Sequence, residues 1–267
     1  MGTVEKISYH SYLKLERLLA LQEELSQPKH EDELLFIVIH QSHELWFKLV
    51  LHEIQRLMRH LDDNSFFQSS KTLTRIIAIF KALIQQVEVL HTLTPDEFLG
   101  FRHLLAPASG FQSHQYKMIE FSLGIKDERY MERHVNQPII YNFLRRSFES
   151  PTVWDKTIHL IYRQGFLKLE AVLSRIFTEN YSAHSIVLEA VKEVYQEPNR
   201  FASLHYLFEQ LVELDLTLQL WRLAHLKNVE RTIGGKMGTG GSPGVDYLQS
   251  TLSKKCFPEL WEVRSLL

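Results

Sequence analysis

Apolar residues recur at three- and four-residue intervals along almost the whole chain, and no stretch sustains the strict apolar/polar alternation of a half-buried strand. The pattern predicts an all-α protein, a single large domain of long helices arranged like a bundle. Pro and Gly are sparse and mark element ends: Gln27-Pro28, Pro95, Pro107, Gly110, Pro138, Pro151 and Pro198. Between these marks the spacing predicts helices over about 9–26, 31–62, 69–91, 95–105, 111–123, 138–148, 152–178, 185–195 and 199–231. No solenoid repeat and no low-complexity linker divides the 267 residues, so one domain over 1–267 is expected.

Two local signals refine this pattern. In Thr94-Pro95-Asp96-Glu97, Thr94 can cap, Pro95 suits the first helical position and Glu97 completes a capping box. The helix launched there carries Phe98 and Arg102 on one face and stops at Ala106-Pro107-Ala108-Ser109-Gly110, a bend of small residues suited to positioning a ligand. The second signal is the run 234–244, with six Gly in eleven residues. Such a segment lets backbone N–H groups approach a ligand closely and is expected to close over one. It is not a phosphate loop, because the Gly-Lys-Ser/Thr ending and a preceding strand are both missing.

Composition narrows the class. With 30 Lys+Arg against 32 Asp+Glu the net charge is −2, which gives no electrostatic case for nucleic acid or a membrane surface. The N-terminal segment lacks an apolar signal core, and no uninterrupted apolar run approaches the length of a membrane span, so a cytoplasmic protein is expected. A single cysteine, Cys256, excludes an intrachain disulfide framework, a thiolate zinc site and covalent haem attachment through Cys-x-x-Cys-His. Any metal must be held by His or carboxylates or arrive inside a cofactor. Fourteen His and 11% aromatic residues fit a cofactor pocket without requiring one.

Several residues could carry chemistry. His40 and His43 lie in the apolar helix LLFIVIHQSHELWFKLVLHEI; their three-residue spacing is wrong for a zincin, whose two His are four apart. Buried, hydrogen-bonded imidazoles are the plain alternative. Phe36, one turn before His40, places an aromatic wall beside a polar imidazole, a combination suited to an aromatic ring bearing an N–H. Arg102, in LGFRHLL, is either a surface arginine with its stem on apolar neighbours or a guanidinium fork for a carboxylate. His225, in LDLTLQLWRLAHLKNVERTIGG, reads as a core histidine or, with Leu218, Trp221 and Val229 around it, as a proximal haem ligand. Tyr9 and Tyr12 fit an ordinary amphipathic first helix.

Three blocks change the weight of these alternatives: DELLFIVIHQSHELWFKLVLHE (32–53), FRHLLAPASGFQSHQYKMIEFSLG (101–124) and WRLAHLKNVERTIGGKMGTGGSPGVDYL (221–248), followed by FPELWEVR (257–264). In the same order and nearly end to end, they resemble the tryptophan 2,3-dioxygenase family. The resemblance implies an all-helical fold around a pocket for non-covalent haem b, with His225 as the axial iron ligand. It implies that His40 is the distal histidine accepting from the indole N–H, that Phe36 stacks beside it, that Arg102 clamps the substrate carboxylate and that Thr239 holds the ammonium. Ser109 falls where the family has a serine near the haem, and Phe98 where it uses Tyr or Phe. Tyr9 and Tyr12, in Tyr-His-Ser-Tyr-Leu, resemble tyrosines that the N-terminal segment (1–26) inserts into a neighbouring subunit. His43, His114 and Lys117, the last in place of a common arginine, depart from the pattern.

The implied activity is cleavage of the indole C2–C3 bond of L-tryptophan with dioxygen to N-formyl-L-kynurenine, the first step of the kynurenine pathway, by a homotetramer. Its alternatives are a haem-binding sensor or a related oxygenase acting on another indole or aromatic amino acid, and a helical scaffold with no cofactor. The joint presence of Phe36, His40, Arg102 and Thr239 argues against both.

Overall fold

The computed structural model describes residues 7–240 and 244–267, all helix, turn or irregular chain with no strand among them. The first six residues of the N-terminal segment (1–26), and Gly241, Ser242 and Pro243 of the expected closing loop, lie outside the described residues. In chain order the helices are α1 (Tyr9–Leu13), α2 (Leu15–Leu18), α3 (Glu33–Asp62), α4 (Phe66–Leu90), α5 (Pro95–Arg102), α6 (His114–Ser122) and α7 (Arg129–Glu132). They continue with α8 (Pro138–Glu149), α9 (Val153–Arg163), α10 (Ser185–Gln196), α11 (Ala202–Ile233), α12 (Val245–Thr251) and α13 (Pro258–Glu262).

The frame is α3, α4 and α11. Each presents a stripe at helical spacing: Val50, Ile54, Leu57 and Leu61 on α3, Leu73, Ile76, Phe80 and Leu83 on α4, and Leu204, Leu207, Leu211, Leu214 and Leu218 on α11. Burying each of these side chains contributes about 2 kcal/mol relative to exposure. Both α3 and α11 pack along α4, but they do not pack backbone to backbone on each other. What joins them is aromatic: Phe47 of α3 and Trp221 of α11 meet edge to face at 5.7 Å, with Tyr116 of α6 at 4.8 Å from Trp221. One turn along from this floor, His43 of α3 and His225 of α11 stand in the gap between the two helices. Helix α3 has the length and apolarity of a membrane span, with mean hydropathy 1.3 over its most apolar stretch. It nevertheless packs on α4, α6 and α9 and carries a buried Glu53 that accepts from Arg56 and Arg75.

The capping box before α5 forms as the sequence predicts, with Glu97 accepting from the Thr94 N–H at 2.7 Å. Three predicted helices are shorter than their periodicity. The first breaks at Lys14, which takes a left-handed conformation (φ 53°), and the chain is not helical over 21–26. The predicted 152–178 helix ends at Arg163, where Gly165 (φ 102°) provides the positive-φ stop that ends many helices, and a 3₁₀ turn Leu167–Val172 follows. The 111–123 span splits at Ser113, which caps α6 by accepting from the Tyr116 N–H. The short helices α7, α12 and α13 have too few turns to register a period.

The FPELWEVR block is an anchor. Glu259, fully buried, accepts from Trp154 Nε1 at 3.0 Å and the His184 N–H at 2.9 Å, and from the Tyr181 hydroxyl. Asp215 of α11, also fully buried, accepts from the Cys256 N–H at 2.9 Å and Trp261 Nε1 at 2.8 Å, fastening the C-terminal segment to the long helix. Asp215→Ala strands both donors and is expected to lower unfolding free energy by about 3 kcal/mol. Asp215→Asn, which keeps one acceptor oxygen, should lose less. Urea midpoints check this, and a loss under about 1 kcal/mol for the alanine variant would mean that packing of Phe257 and Leu260 holds the segment without the carboxylate.

Candidate active site

The gap between α3 and α11 is where the candidate residues meet. On α3, His40 Nδ1 donates to the Phe36 carbonyl at 2.7 Å, and His43 Nδ1 donates to the Ile39 carbonyl at 2.9 Å. A carbonyl can only accept, so each imidazole carries its proton on Nδ1 and leaves Nε2 as an acceptor. The Phe36 ring lies 4.1 Å from the His40 ring and 5.5 Å from Phe98, which is buried with Phe101, Leu90 and Leu93 in a small apolar cluster. Phe36, His40 and Phe98 thus form one wall.

His225 of α11 forms the facing wall. Its ring stacks parallel to Trp221 one turn earlier, at 5.6 Å and an interplanar angle of 3°. Burial pushes its imidazole down to about 4, and His40 and His43 lie near enough to depress it further. Burial likewise lowers His40 and His43. All three imidazoles are therefore neutral at physiological pH, the state in which Nε2 can bind a metal or accept a hydrogen bond.

The mouth of the gap is formed by the end of α5 and the glycine-rich run. An Arg102 guanidinium nitrogen donates to the Met237 carbonyl at 2.5 Å, while its Nε is buried without a partner among the described residues. The Thr239 hydroxyl donates to the Ala108 carbonyl at 2.5 Å. Ser109 caps the 3₁₀ turn Gly110–Gln112 by accepting from the Phe111 N–H, and Gly240 sits so close that a Cβ there would lie 2.7 Å from the Ser109 Cβ. Glycine is required at 240 by that approach. Arg102, Ser109 and Thr239, scattered over nearly 140 residues of sequence, meet at one edge.

Two expectations behave differently. Tyr9 and Tyr12 are 76% and 73% exposed and make no hydrogen bond or ring contact with these groups within the described residues. His43, to which the sequence assigns no role, belongs to the gap: its ring lies 6.3 Å from Trp221 and 6.1 Å from Phe47. Its position three residues after His40, on the same broad face, was the available signal. A separate cleft of about 660 Å³ lined by Lys126, Arg129, Asn180 and Tyr181 contains none of these residues.

The donor set fits haem better than a bare ion. Among the described residues no group of three His, Cys, Asp or Glu converges on a point, so these side chains alone offer a bare ion no site, whereas a haem brings its macrocycle ligands with it. Apolar and aromatic walls and a neutral imidazole on a rigid helix suit that role. Trp221 Nε1 and Asn228 Oδ1, on either side of His225 along α11, are buried without protein partners among the described residues.

The chain matches the family model described as Tryptophan 2,3-dioxygenase over residues 2–165 and 174–267. It is similar to proteins named Tryptophan 2,3-dioxygenase from Bacillus thuringiensis (strain Al Hakam), 41% identical over 98% of this chain and 94% of the relative. Likewise named are relatives from Geobacillus thermodenitrificans, 43% identical over 98% and 93%, and Caulobacter vibrioides, 41% identical over 98% and 99%.

The depressed imidazoles have a consequence for stability. An unfolded histidine titrates near 6.5, whereas folded His225 stays neutral down to about 4. Between these values the unfolded chain binds more protons, so stability falls as pH falls through that window. In the haem-free protein, His225→Gln should flatten this dependence, seen as urea midpoints at pH 4.5 and 7 that lie closer together than in the unsubstituted protein. An unchanged difference would place the acid sensitivity elsewhere.

Proposed function

The chain belongs to the tryptophan 2,3-dioxygenase family, and on that premise we propose that the α3/α11 gap holds haem b non-covalently through His225 with L-tryptophan beside it. The reaction is cleavage of the indole C2–C3 bond with dioxygen to N-formyl-L-kynurenine, the step that opens tryptophan catabolism by the kynurenine pathway. The observation that carries this reading is the convergence of an aromatic wall with a fixed acceptor (Phe36, His40), a facing neutral imidazole (His225) and an arginine–threonine pair at the mouth.

Haem, when bound, supplies the redox chemistry that inserts both oxygen atoms. The chain's own residues bind and orient. His40 Nε2 accepts the indole N–H, its Nδ1 proton being held by the Phe36 carbonyl. Phe36 and Phe98 pack the ring. Arg102 exchanges the Met237 carbonyl for the substrate carboxylate, a stronger, bidentate acceptor. Thr239, across the mouth, meets the ammonium, and Ser109 shapes the edge on which Gly240 rests. Holding the amino acid at both charges removes reactive freedom before any bond changes, and the 234–240 segment covers the site against water.

A homotetramer is part of the reading. Helix α3 leaves Leu34, Val38 and Leu45 exposed on one stripe and α11 leaves Leu216, Leu220 and Leu223 on another. Together with exposed Tyr9 and Tyr12 these support subunits that cover one another's apolar faces, the N-terminal segment reaching a neighbour's pocket. A light-scattering mass of one chain would count against it. A single buried free thiol, Cys256, is compatible with the cytoplasm.

The deciding experiment mixes anaerobic ferrous protein with L-tryptophan and oxygen and follows the Soret band and formylkynurenine absorbance. Product is expected from the unsubstituted protein and none from His225→Ala. Arg102→Met should raise KM for tryptophan roughly 10- to 100-fold by removing a charge-assisted contact, and tryptamine, without a carboxylate, should be a poor substrate for the parent protein. Haem binding with no product would favour a sensor or another substrate.

A further inference from the structure

We propose that Lys117 is a positioning residue for the substrate-binding loop, acting through Tyr247 to fix the segment that carries Thr239; this rests on the reading of Thr239 as a substrate contact. Lys117 lies on α6, 6% exposed, away from the gap. Its ammonium pairs with the buried Glu120 carboxylate, stands 4.9 Å over the Tyr130 ring, and donates to the Tyr247 hydroxyl at 3.4 Å. Glu120 is satisfied a second time by Arg222 at 2.9 Å, three residues before His225, and Arg222 also donates to the Tyr116 hydroxyl at 3.1 Å. One buried carboxylate therefore ties the helix of the proposed iron ligand to the lysine that meets α12.

Tyr247 is the link onward. It sits in the first turn of α12, its ring edge-on to Phe111 at 4.7 Å, with Phe111 covered on another side by the Arg133 guanidinium at 4.4 Å. Gly244, immediately before α12, packs so tightly on the start of the loop that a Cβ there would lie 3.2 Å from the Lys236 carbonyl and 3.8 Å from the Gly238 nitrogen. Displacing α12 thus displaces 236–238, whose Met237 carbonyl holds Arg102 and whose next residue is Thr239. A lysine that touches neither substrate nor cofactor sets the distance between the two groups that recognise the amino acid.

The test compares Lys117→Met, Tyr247→Phe and Lys117→Arg with the unsubstituted holoenzyme by limited trypsin digestion and by steady-state kinetics. Cleavage after the exposed Lys236 should accelerate in Lys117→Met and, less, in Tyr247→Phe, while Lys117→Arg keeps the original rate. KM for L-tryptophan should rise roughly tenfold in Lys117→Met with kcat little changed, the sign of lost uniform binding. A merely structural role would speed cleavage throughout the chain and leave Lys236 unremarkable among the cut sites. Should Lys117→Met fail to fold, Tyr247→Phe decides alone: faster cutting at Lys236 supports the proposal and an unchanged rate overturns it. Absence of tryptophan turnover in the unsubstituted enzyme would refute the substrate reading, whereas the Lys236 comparison would still decide the positioning role.

Discussion

Keeping imidazoles neutral is the constraint on which the rest of this protein depends. Three histidines, His40, His43 and His225, gather in the gap between α3 and α11, and burial lowers each of them. A charged imidazole could neither bind iron nor accept from an indole N–H. Desolvation removes the charge, and a helical carbonyl four residues earlier fixes the tautomer at His40 and His43. The aromatic floor of Phe47, Trp221 and Tyr116 joins α3, α6 and α11 beside them.

Several charged groups that the protein buries away from these histidines are fully partnered. Glu120 shares itself between Lys117 and Arg222, and Asp215 and Glu259 each take several N–H or O–H donors. Such groups destabilise if left alone and stabilise position when fully satisfied, because only one arrangement supplies every partner. They hold α6, α11 and the C-terminal segment in register.

The mouth follows a different logic. Arg102 and Thr239 use backbone carbonyls as acceptors; a carboxylate can take the place of the Met237 carbonyl, while the Thr239 oxygen can accept from an ammonium with its own hydroxyl still donating to Ala108. Gly240 and Gly244 permit backbone approaches that a side chain would block. A rigid frame with neutral imidazoles and a mouth closed by exchangeable hydrogen bonds is the arrangement expected of a site that must admit a zwitterion and then dry itself.

The sequence by itself determined the fold class, since three- and four-residue periodicity with few breakers leaves helices as the only way to bury the apolar stripes. It also determined the start of α5, where capping chemistry is local, and the placing of Phe36 one turn before His40, because such neighbours along a helix are also neighbours in space. What it could not supply was anything dependent on approach between distant segments. The break of the first helix at Lys14, the stop at Gly165 and the split at Ser113 override an uninterrupted apolar period. The meeting of Arg102 with Met237 and of Gly240 with Ser109, the inclusion of His43 in the gap and the line from Glu120 through Lys117 to Tyr247 were decided by tertiary packing alone. Periodicity reports which face of a helix is buried; it carries no information about which other face it will be buried against.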